Sequence, residues 1–132
     1  MALVSAQKIT VSADRLRCRV LFDETCPRFT TPQIMARLLE KRPKLSEHAC
    51  VNKKGPTFAA VMNHTPLIHV LEHLVIDFQV ASQPQSATLF VGTSAMVSSS
   101  PRVGEIEVSF MDDVLALDAV NKSIALLNEA LR

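Results

Sequence analysis

Thr65-Pro66-Leu67-Ile68-His69-Val70-Leu71-Glu72-His73-Leu74-Val75-Ile76-Asp77-Phe78-Gln79 is the stretch on which the reading of this chain turns. With Thr65 as cap and Pro66 at the first position, it predicts a helix from about Thr65 to about Val80. At about 100° per residue, with His69 taken as zero, Thr65 lies near −40°, Glu72 near −60°, His73 near +40° and Asp77 near +80°. Every strongly polar side chain therefore falls in one stripe of about 140°, and the rest of the surface is Leu, Ile, Val and Phe. The pattern predicts a central, mostly buried helix with two histidines and two acids along a single groove. Burying that many ionisable groups alone would cost several kcal/mol, so partners must compensate them.

Upstream of this helix, Leu16, Cys18, Val20 and Phe22 alternate with Arg15, Arg17 and Arg19, the period of a half-buried strand. Thr30 or Thr31 can cap a helix with Pro32 in its first turn, which Pro43 stops. Leu45 to Lys54 reads as irregular, and Thr57 to Met62 as a short helical stretch after Gly55-Pro56. Beyond the central helix, Ala87 to Val91 and Gly104 to Phe110 read as strands, with a mobile serine-rich loop from Gly92 to Pro101 between them. Asp112 or Asp113 caps a last helix with a wide apolar face. The order β, α, short α, α, β, β, α predicts an α+β fold: one domain over residues 1–132, with a small, largely antiparallel sheet covered by helices on one face.

Composition narrows the function. The 132 residues are 48% hydrophobic and 20% charged, enough for a real core and incompatible with disorder. A net charge of +1, with no basic block, argues against nucleic acid as a partner. The apolar stretch Pro66 to Val80 is interrupted by His69, Glu72, His73 and Asp77, so no membrane span is predicted. No leader precedes the first strand, and the expectation is a cytoplasmic protein. Cys18, Cys26 and Cys50 match no CxxC pattern and read as reduced thiols.

The chemistry lies on the central helix. His69 and His73, at i and i+4, can present two neutral imidazoles to one divalent metal, with zinc the natural choice. Glu72 beside them makes HxxEH, the inverse of the HExxH pattern in which the glutamate is general base on metal-bound water. Asp77 lies about 12 Å of axial rise from His69, too far to share the ion, and is assigned instead to orient His73. The third ligand is left among His48, Cys50, Glu105 and a residue near the serine-rich loop. The plainer alternative is a buried polar network in which His69 and His73 bond Glu72, Asp77 or backbone, with no metal. His64 reads as a surface residue.

Leu45-Ser46-Glu47-His48-Ala49-Cys50, Gly55-Pro56-Thr57-Phe58, the His69 to Gln79 run and Phe90-Val91-Gly92-Thr93-Ser94 together resemble the N-terminal domain of cyanophycin synthetases. The resemblance covers roughly Leu45 to Leu131. Asp77 stands where that family usually has Glu, and Ser94-Ala95 replaces its usual Arg. The resemblance implies a domain that holds an Asp/Arg polymer and, in some members, cleaves it at a metal-dependent site. It makes His48 the favoured third ligand through the Glu-His-x-Cys segment. Neither the ATP-grasp and Mur-ligase-like modules nor a phosphate loop is present, so ligation by this chain alone is not expected. The expected function is a metal-dependent, peptidase-like hydrolase acting on a peptide or Asp/Arg polymer, with Glu72 catalytic, His69, His73 and His48 on zinc, and Asp77 behind them. The alternative is a non-catalytic polymer- or protein-binding domain. The oligomeric state is left open.

Overall fold

A computed structural model describes residues 2–50, 53–84 and 89–132. Strands β1 (Val4–Val11), β2 (Arg15–Phe22), β3 (Gly92–Met96) and β4 (Val103–Ser109) form one sheet in the order β1-β2-β4-β3, and every neighbouring pair is antiparallel. Helices α1 (Pro32–Lys41), α2 (Leu67–Ser82) and α3 (Asp113–Ala130) complete the α+β fold. The β2–β4 register shows why one sheet face is covered and the other is wet. Leu16 opposite Val108 and Cys18 opposite Ile106 are buried against the helices. On the other face Arg17 meets Glu107 and Arg19 meets Glu105, with Nη2–Oε2 at 2.8 Å in the first pair and Nε–Oε2 at 3.3 Å in the second.

Helix α2 packs against β3, β4 and α3, and its Leu67, Ile68, Val70, Leu71, Leu74 and Val75 are all buried. It presses closely on the sheet at Gly104, where a Cβ would lie 2.7 Å from Ile68 Cδ1. Only glycine leaves room for that approach. Asp112 caps α3, accepting from the Val114 and Leu115 N–H groups, and Thr31 caps α1, accepting from Ile34 N–H. No helix among the described residues is long and apolar enough to cross a membrane.

Four expectations need correction. Strand β1 is absent from the sequence reading because, apart from Val4, most of its side chains are exposed and show no apolar alternation. The strand expected at Ala87 to Val91 lies instead at Gly92–Met96, inside the supposed serine-rich loop. Ala87 and Thr88 themselves fall outside the described residues. Backbone pairing to β4, which side-chain periodicity does not report, makes this strand. Pro43 opens a 3-10 turn, Pro43–Glu47, and the helical stretch near Thr57 is the single 3-10 turn Phe58–Ala60. Finally, α2 begins at Leu67, because the Thr65 hydroxyl is engaged by His69 rather than by the helix end.

Candidate metal centre

The groove on α2 faces a cavity of about 1130 Å³ between that helix and β3, and His48, Cys50, His69, Glu72, His73 and Asp77 all line it. Two pieces of chain far from α2 bring His48 and Cys50 there. Phe58 N–H donates to the His48 carbonyl at 2.8 Å, and Cys50 N–H donates to the Pro56 carbonyl at 3.2 Å. This short pairing also sets the fully buried Phe58 ring under the imidazoles, stacked on His73 at 4.4 Å and edge-on to His69 at 5.2 Å. An aromatic floor of this kind restricts the two rings to few orientations.

Cys50, His69 and His73 each offer one ligand atom, and these atoms lie within 4.8 Å of one another. His73 Nε2 and His69 Nε2 are 3.1 Å apart, and Cys50 Sγ is 3.4 Å from His69 Nε2. Bond lengths of about 2.0–2.1 Å to nitrogen and about 2.3 Å to sulfur around a tetrahedral zinc require edges of about 3.3 and 3.6 Å, so the His69–His73 and Cys50–His69 edges need to lengthen only slightly. A thiolate with two imidazoles is a donor set suited to zinc. Burial pushes the His73 imidazole down to about 3, with repulsion from His69 and His48 adding to it. His69 is also lowered, by burial, against the opposing charge of Glu72. Both rings are thus neutral near pH 7 and able to offer lone pairs.

His48 reaches the cluster by another route than expected. Its Nδ1 is 3.2 Å from His73 Nδ1, the nitrogen on the far side of that ring from His69. Cys50 rather than His48 therefore completes the three-donor group. Asp77 bonds His48 and Arg42 rather than His73: its Oδ1 is 2.9 Å from His48 Nε2, and its Oδ2 accepts from Arg42 Nε at 2.6 Å. Burial alone would raise the Asp77 carboxyl, but the hydrogen bonds from His48 and Arg42 and the charge of Arg42 outweigh it and hold it below the usual carboxylate range.

An ionised Asp77 can only accept, so His48 Nε2–H donates to it. With His48 neutral, its Nδ1 accepts from His73 Nδ1–H, and that tautomer leaves the His73 Nε2 lone pair facing Cys50 and His69. Asp77 thus acts on His73 through His48. On the other side His69 Nδ1 is 2.9 Å from Thr65 Oγ1, a hydroxyl able to donate or accept as the ring requires.

Glu72 is 8% exposed and stands against β3, since a Cβ on Gly92 would lie 3.1 Å from Glu72 Cγ. Glu105, once a candidate ligand, is on the opposite sheet face with Arg17 and Arg19. His64 is exposed and stacks on Phe29. The roles of Arg42, Phe58 and the Thr65 hydroxyl had no place in the sequence reading. Thr65 alone left a signal, being four residues before His69 on the same stripe.

The molecule is thus an α+β domain whose cavity holds a Cys/His group able to bind a metal ion. The family model for the cyanophycin synthase-like N-terminal domain matches residues 17–132. The chain belongs to that family, and the match extends upstream of the segments that carried the resemblance, into β2. No curated protein matches the chain.

Proposed function

We propose that this domain is a zinc-dependent hydrolase of amide bonds whose substrate is a peptide or an Asp/Arg polymer. The observation that carries the reading is the convergence of Cys50, His69 and His73 within 4.8 Å, in the cavity that Glu72 also lines. Cys50 Sγ, His69 Nε2 and His73 Nε2 would hold the ion, which when bound supplies Lewis acidity toward a carbonyl and acidifies water toward a pKa of about 7. Glu72 takes the proton of the attacking water and passes it to the departing amine. Phe58 and the His48–Asp77–Arg42 chain hold the rings in place while this happens. The cavity, lined on one side by Val91 to Met96, has room for a chain to lie along it.

The experiment pairs metal analysis with a cleavage assay. Glu72→Gln keeps the shape but cannot act as base, so metal content stays and hydrolysis disappears. His73→Ala loses both. If wild-type protein prepared without chelator holds no zinc and takes none up on titration, the enzymatic reading fails. The domain is then a binding module whose buried histidines form a polar network.

A further inference from the structure

The two edges of the sheet are built differently. β1 is broken by a bulge between Ala6 and Lys8 and carries the Lys8 charge, and both features discourage a further strand. β3, Gly92-Thr93-Ser94-Ala95-Met96, has no charge, no proline and no break in its register. The Val91 carbonyl accepts from Ser109 N–H at 2.9 Å and Val97 N–H donates to the Val103 carbonyl at 2.8 Å, so both residues bond into the sheet. Thr93 and Ala95, opposite Glu107 and Glu105, share their parity. The alternation of an antiparallel ladder then turns the N–H and C=O groups of Gly92, Ser94 and Met96 outward. Among the described residues no strand pairs on that side.

Those same three residues line the cavity of the Cys50, His69 and His73 group. Gly92 touches the Glu72 side chain, and the exposed Leu89, Val91 and Met96 put apolar surface along the edge.

We propose that the β3 edge is the docking strand for substrate: an extended polypeptide adds to it as a fifth strand through the backbone of Gly92, Ser94 and Met96, which carries its amides past Glu72. The inference rests on the hydrolase reading for the fate of the docked chain, but not for the docking itself. An edge of alternating donors and acceptors matches another main chain and is sequence-tolerant, with side-chain preference coming from the apolar flank.

The test measures binding to chelator-treated protein, where hydrolysis cannot contribute. The probe is a fluorescently labelled decapeptide of alternating leucine and threonine with a lysine at each end, followed by anisotropy. Ser94→Pro removes one outward N–H while sparing the bonds to β4, a position where an edge strand tolerates proline. It is expected to weaken binding about tenfold. On wild-type protein, the same peptide N-methylated at every second residue is expected to bind about tenfold more weakly in at least one of the two methylation registers. This second measurement does not depend on how the variant folds. Equal binding of the methylated and parent peptides, or no binding of the parent at about 1 mM, overturns the proposal. Binding without any cleavage after zinc is restored defeats the hydrolase reading and leaves the docking strand standing. Cleavage of the parent and both methylated peptides at the same rate does the reverse.

Discussion

The two walls of the cavity are made of opposite materials. The α2 wall carries the ionisable groups on a helix packed on both sides, with Leu71 and Leu74 fully buried behind His69, Glu72 and His73. The β3 wall is a five-residue strand at a sheet edge with no ionisable side chain at all. Two of the three donor atoms, those of His69 and His73, sit on the rigid element, as precise sites require, and Cys50 is brought to them by its backbone bond to Pro56. The wall without charged side chains is left open to solvent. On the proposed reading, reactive geometry and chain recognition are divided between the two walls.

Substitutions can break this contrast. Leu71→Ala or Leu74→Ala removes packing behind the histidines and is expected to cost about 2–5 kcal/mol in urea unfolding. Ala95→Ser, on the exposed side of β3, is expected to stay within about 0.5 kcal/mol. Equal losses at the two walls would show that α2 is not the rigid one. Next in size is Arg42→Ala, which leaves the Asp77 carboxylate short of its cation. Arg42 is only partly buried, so the expected cost is about 1–3 kcal/mol, accompanied by weaker zinc uptake because His48 loses its fixed partner.

Acid should act on the helix wall. His73 titrates near 3 in the folded protein and near 6.5 when unfolded, so the unfolded chain binds the extra proton first. Stability is fully present above about pH 6.5 and falls as pH drops from there toward 3. His73→Phe should flatten that fall in a series of thermal melts, and an unchanged slope would place the acid sensitivity elsewhere. The smallest effect is expected on the outer sheet face: Arg17→Ala breaks an exposed pair with Glu107 and should lower the melting temperature least of all these changes, the difference shrinking further at high salt.

What could be read from sequence follows the same division. The burial of α2, the cap of α1 and the last two helices' approximate extents are written in side-chain periodicity and cap residues. So is the stripe that gathers His69, Glu72, His73 and Asp77. Which residue meets His73 across the cavity is not, because the His48-to-Phe58 pairing joins segments by main-chain hydrogen bonds that leave no periodic trace. Hence the sequence favours His48 over Cys50 as the third donor, and it pairs Asp77 directly with His73 where the structure links the two through His48. Strands β1 and β3 escaped for a related reason: each is an edge whose side chains are mostly exposed, so neither needs the alternating pattern that marked β2.

One contact near the ends of the fold has a consequence in time. The Asn128 side chain, on α3, accepts from Leu3 and Val4 N–H at 3.0 and 2.9 Å and donates to the Val4 carbonyl at 2.8 Å, closing a loop of about 124 residues. At a synthesis rate of about 5–20 residues per second, β1 waits on the order of ten seconds before that partner emerges. During this interval β1 can pair with β2 as a hairpin, but the backbone groups that Asn128 satisfies stay with water. Contacts of such span are slow to form. The docking of α3 onto β1 is therefore expected to come late, with the bulge and Lys8 keeping the waiting edge from pairing with other nascent chains.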